Sequence, residues 1–151
     1  MINIHARVKH LIQKYGTRDP EKLARELKIT IIKRPFKKTM GFFKKDLGKK
    51  FVIVNSNLDE FIQRLVLAHE LGHALLHSSN QTSYIHEYTL FPRGRVEIEA
   101  NKFAAELLID EAEIDKCYLE NMCTSQVASY FGVPKKLVEY KFDKYIIHRE
   151  G

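Results

Sequence analysis

Two histidines four residues apart, His69 and His73, stand inside a stretch that permits little but a buried helix. From Asn57 to His77 there is no proline and a single glycine, Gly72. At about 100° per residue the two imidazoles fall about 40° apart, one turn from each other on one face. Ile62, Leu65, Val66 and Leu76 share their arc, and Leu67, Ala68, Leu71 and Leu75 occupy the other sides. A helix that is apolar nearly all round is buried. Asp59 and Glu60 suit its N-terminal, electropositive end. Imidazoles on the inner face of such a helix need polar partners, because burying an unsatisfied polar group is costly.

A divalent cation meets that need. Two imidazoles at positions i and i+4 grip one zinc ion, each at about 2.0–2.1 Å. Glu70, next to the first histidine, then stands near the ion without binding it, where it can accept a proton from an activated water. A catalytic zinc site takes three protein ligands and keeps one position open. The stretch Val96 to Ile109 offers the third ligand on a second helix. Its apolar residues Val96, Ala100, Phe103, Ala104, Leu107 and Leu108 cluster on one arc. With Ala100 at 0°, Glu97 falls at about 60°, inside that arc, and Glu99 at about 260°, near its edge. Burying a lone carboxylate is costly and a metal removes the cost, so Glu97 is preferred over Glu99. Asn101, one turn on, is placed to hold a ligand from behind.

The remaining chain frames these helices. Ile4, Val8, Leu11, Ile12 and Tyr15 have helical spacing, and Gly16 ends the run. Asp19-Pro20-Glu21 reads as a capped helix start, leading to about Leu27. Ile29 to Ile32 is β-branched and reads as a strand. Gly41-Phe42-Phe43 and Phe51 to Val54 flank a turn at Asp46-Leu47-Gly48, which predicts a hairpin. Ser78 to Arg95 shows no clear period and reads as a loop. The fold class expected is α+β: one mainly helical domain over residues 1–151, with a small three-stranded sheet before the His69–His73 helix.

Composition narrows the setting. With 44% hydrophobic and 29% charged residues, the 151-residue chain is ordinary for a globular protein. No run approaches the roughly 18 apolar residues of a membrane span. The start, Met1 to Arg7, has no signal-peptide apolar core, so a cytoplasmic location is expected. Cys117 and Cys123 read as two reduced thiols rather than a disulfide framework. The net charge of +6 owes much to Lys33, Arg34, Lys37, Lys38, Lys44, Lys45, Lys49 and Lys50. No aromatic-interleaved recognition pattern accompanies the charge, and it reads as a solvated face around the hairpin.

Two blocks, His69-Glu70-Leu71-Gly72-His73-Ala74-Leu75-Leu76-His77 and Glu97 to Leu108, together resemble the ImmA/IrrE family of metallopeptidases. The resemblance implies a zincin-like fold and a zinc-dependent endopeptidase with Zn2+ as cofactor. It makes His69, His73 and Glu97 the metal ligands and Glu70 the general base. It also implies a protein substrate, a helix-turn-helix transcriptional repressor of a mobile element or stress response. Where the family's second block often continues to a proline, Ile109-Asp110 follows here; this concerns a turn, not the site.

A different class of function is motivated by Thr124 to Phe142, within a helical hairpin expected at about residues 124–148 as the C-terminal part of the domain. Ser125 to Leu137 reads as helix, glycine turn, helix, with Lys135 and Lys136 after the turn. A DNA-binding or regulatory protein with a non-catalytic metal site is the alternative. Many packed helical pairs share this pattern, so direct nucleic-acid binding is not expected. Oxyanion-stabilising candidates near the motif are His77, Tyr84, His86, Tyr88 and Arg95, and spacing selects none of them. His77, at the helix end, also reads as a cap.

Overall fold

The computed structural model describes residues 2–77, 82–86 and 94–142. Helix α1 spans Ile4–Tyr15, with the Asn3 side chain accepting from the Ala6 N–H and Gly16 closing it in the left-handed conformation at φ 70°. Helix α2 spans Pro20–Glu26, with the Asp19 side chain accepting from the Lys22 N–H. Both starts and stops lie where the local sequence put them.

Strand β1 (Thr30–Arg34) runs parallel to β3 (Lys49–Asn55), and β2 (Thr39–Asp46) pairs antiparallel with β3. The β2–β3 turn is Leu47-Gly48, both at positive φ (50° and 78°). Two such residues match the right-handed twist of the flanking strands. The three expected strands are therefore present before the histidine helix. A fourth, β4 (Thr82–His86), pairs antiparallel with β2, giving the order β1-β3-β2-β4. This corrects the reading of Ser78 to Arg95 as loop throughout. Five residues carry too short a pattern to announce a strand, and the backbone partners come from β2, about 40 positions earlier. Residues 78–81 and 87–93, which complete that segment, lie outside the described residues.

Helix α3 spans Glu60–Leu76, capped by the Asp59 carboxylate on the Ile62 N–H at 2.8 Å. Every residue from Leu65 to Ala74 is buried. The helix lies on the sheet across Gly41, where a Cβ would come within 2.5 Å of Val66 Cγ1 and 2.8 Å of the Ile53 carbonyl oxygen. Only glycine permits that approach.

Helix α4 (Arg95–Leu108) packs against α3 on its other side. Phe43 from the sheet, Leu71 from α3 and Phe103 and Leu107 from α4 are fully buried in the common core. The Arg18 guanidinium donates to the Glu106, Leu107 and Ile109 carbonyls at 2.9, 3.2 and 3.1 Å. A cation at these otherwise orphaned carbonyls anchors the C-terminal end of α4. Glu106 is held in turn by His5 at 2.8 Å and by Lys141.

A 3-10 turn at Glu111–Glu113 and the short helix α5 (Lys116–Asn121) lead to α6 (Thr124–Phe131) and α7 (Lys135–Lys141). Gly132, at φ 65°, makes the turn between the last two. Val127, Ala128, Leu137 and Val138 are buried, and α7 packs on α4. The expected helical pair is thus part of the core; its proposed extension to residue 148 lies outside the described residues. Among the hairpin lysines, Lys44, Lys45 and Lys49 are exposed, whereas Lys50 donates to the Ala74 carbonyl near the end of α3 at 2.8 Å. Burial and the nearby Lys45 charge both lower the Lys50 pKa. No described helix is long and apolar enough to cross a membrane.

Candidate metal centre

His69 and His73 project from consecutive turns of α3 with their rings edge to face, centroids 4.8 Å apart. Their Nε2 atoms are 3.1 Å from each other. Glu97, in the first turn of α4, brings Oε2 to 2.9 Å from His69 Nε2 and 3.0 Å from His73 Nε2. The side chains are 3%, 2% and 15% exposed, so the three donors meet in the interior with only the carboxylate reaching toward solvent. Of the two glutamates, Glu97 joins the histidines, while Glu99 turns to His77.

Packing explains why Glu97 arrives there. A Cβ on Gly72 would lie 3.1 Å from both the Cα and the carbonyl oxygen of Ala100. Gly72 sits between the two histidines, and Ala100 follows Glu97 by three residues. A point of close helix approach therefore lies within one turn of the site. Val96, expected in the buried arc, is instead 40% exposed, because α4 meets α3 from Glu97 onward.

Electrostatics favour a cation between these groups. Burial alone would raise the Glu97 carboxyl pKa. Hydrogen bonds from His69 and His73, together with positive charge on the imidazoles, outweigh it and lower the pKa to about 2. The residue is a carboxylate, poised against whatever positive charge sits at the two Nε2 atoms.

Behind the donors lies a second layer of polar contacts. His69 Nδ1 is 2.6 Å from Asn101 Oδ1, as the helical spacing from Glu97 anticipated. His73 Nδ1 is 3.2 Å from His77 Nδ1, and His77 Nε2 is 3.0 Å from Glu99 Oε1. The Asn101 oxygen accepts from the His69 Nδ1–H, so that when a cation takes the place of the proton shared with Glu97, the Nε2 lone pair faces the centre. Two imidazole nitrogens and a carboxylate oxygen, all within 4.8 Å of one another, form a donor set that suits a divalent metal ion.

Glu70 is fully buried next to His69 and stands outside this three-donor set. Of the oxyanion candidates, His77 has both ring nitrogens engaged, and Arg95 is exposed at the start of α4. Tyr84 and His86 belong to β4, and Tyr88 lies outside the described residues. The pairing of His77 with Glu99 was missed by the sequence reading. Its one available signal was the continued four-residue spacing of His69, His73 and His77.

Residues 24–143 match the model of a peptidase family described as the IrrE N-terminal-like domain. The chain is 38% identical over 141 residues to "Uncharacterized immunity region protein 2" of Bacillus phage phi105, across 91% of this chain and 88% of that protein. It is 27% identical over 143 residues to "Metallopeptidase ImmA" of Bacillus subtilis strain 168, across 93% of this chain and 85% of that one. With the two motif blocks on facing helices and a family match over most of its length, the chain belongs to the ImmA/IrrE family of metallopeptidases.

Proposed function

We propose that the protein is a zinc-dependent endopeptidase acting in the cytoplasm on a protein substrate, a helix-turn-helix transcriptional repressor. The observation that carries the hydrolytic reading is the convergence of His69 Nε2, His73 Nε2 and Glu97 Oε2 within 4.8 Å at a buried point. In this reading these three residues hold the metal, and zinc is taken over manganese or iron on the pattern of two histidines flanking Glu70 on one helix. Bound zinc supplies Lewis acidity, which acidifies a water and polarises the scissile carbonyl.

The chain's own groups do the rest. Glu70 takes the proton of the attacking water and delivers it to the departing amine. Its burial beside His69 keeps the carboxylate away from bulk water. Among the described strands β4 is an edge, and it contacts α3. An extended substrate segment pairing with β4 would be held by backbone hydrogen bonds. The repressor as substrate is carried over from what the family resemblance implies. The buried apolar residues of α6 and α7 support a packing role for that pair rather than DNA contact.

The test is incubation of the zinc-loaded protein with a purified repressor encoded beside its gene, read by mass spectrometry of fragments. New termini that vanish with a chelator are expected. An intact repressor after incubation with a protein shown to hold zinc would overturn the substrate assignment.

A further inference from the structure

We propose that His77 and Glu99 are positioning residues that fix the tautomer and orientation of His73 at the metal centre. The proposal rests on the metallopeptidase reading above. Its starting point is a line of two buried rings and a part-buried carboxylate: Glu99 Oε1 lies 3.0 Å from His77 Nε2, and His77 Nδ1 lies 3.2 Å from His73 Nδ1. The side chains of His77 and Glu99 are 8% and 15% exposed.

Donor and acceptor rules make the line directional. A carboxylate only accepts, so the His77 proton resides on Nε2 and is donated to Glu99. The Nδ1 of that neutral ring then carries a lone pair. Two ring nitrogens at 3.2 Å need one proton between them, so His73 donates its Nδ1–H to His77. The His73 lone pair is thereby left on Nε2, the atom that faces His69 Nε2 and Glu97 Oε2. The opposite tautomer would aim an N–H at the place where a ligand lone pair is required. His69 reaches the same state through Asn101, so each ligating ring is set by its own partner.

The backbone favours this arrangement. His77 is the C-cap of α3, and its N–H donates to the His73 carbonyl at 2.8 Å. That bond holds the two residues one turn apart while the chain leaves the helix.

The experiment compares the full chain with His77→Leu, His77→Gln and Glu99→Ala. Zinc Kd is measured by competition with a chromophoric chelator. The visible absorption of the cobalt-substituted protein reports ligand geometry, and melting of the metal-free forms reports folding. His77→Leu should raise the zinc Kd about 10–100-fold and alter the cobalt bands, the range seen when outer partners of metal ligands are removed. Glu99→Ala should shift both in the same direction. His77→Gln should recover most of the affinity, because its amide oxygen accepts from His73 and its amide nitrogen donates to Glu99. Parental Kd and cobalt spectra in both His77→Leu and Glu99→Ala would overturn the proposal. If His77→Leu fails to fold, Glu99→Ala decides alone. A parent chain that binds neither zinc nor cobalt would instead sink the metallopeptidase reading itself, and the proposal with it.

Discussion

Gly72 and Ala100 meet without any intervening side chain, and a Cβ at position 72 would lie 3.1 Å from the Ala100 Cα, its carbonyl oxygen and the Phe103 Cβ. Gly72→Ala sets two effects against each other. Helix propensity favours alanine by about 1 kcal/mol. Forcing a methyl against backbone that cannot swing aside costs about 1–3 kcal/mol. Overpacking wins, so denaturant titration should show a net loss of up to about 2 kcal/mol. Zinc affinity should fall as well, because α4 carries Glu97. A stabilised variant with parental zinc affinity would mean that the two helices separate freely.

Glu97→Ala removes the only carboxylate of the three-donor set. Its zinc Kd should rise by more than about 100-fold, beyond the 10–100-fold range of outer partners. Chelator competition measures this directly. Unchanged zinc content would transfer the ligand role to another group.

Glu70→Gln keeps the volume of a fully buried side chain and removes its basicity. Metal content should stay at the parental level. Repressor cleavage should fall by about 100- to 10,000-fold, the usual contribution of a positioned general base. Cleavage at the parental rate would exclude Glu70 from proton transfer.

Stripping the metal should soften the fold. A ligand that binds only the native state adds about 4 kcal/mol when present at 1,000 times its Kd. The melting temperature should therefore rise with added zinc and drop with excess chelator. Coincident melting curves would show that the three donors hold no ion in solution.

What could be read from sequence was local. Gly16, Asp19 and Pro20 act within one turn of their own helices, so their roles follow from neighbours in the chain. The i, i+4 histidines were legible for the same reason, and the arc of α4 ranked Glu97 above Glu99 because helical angles are fixed. Strand β4 was not legible, since its stability comes from the edge of β2 and not from its own five residues. The Glu99–His77 contact was hidden because it depends on how α3 and α4 cross. The exposure of Val96 was hidden too: periodicity gives a face but not where along that face the packing begins.

Helix α4 carries Glu97, Glu99 and Asn101 within little more than one turn, so a single rigid rod presents one metal donor and the contacts that steer both imidazoles. Coordination geometry cannot then drift one bond at a time. Any leverage on the remote end of that rod, where Arg18 and Lys141 clasp it, would reach all three contacts at once, and the centre should assemble or come apart as a unit.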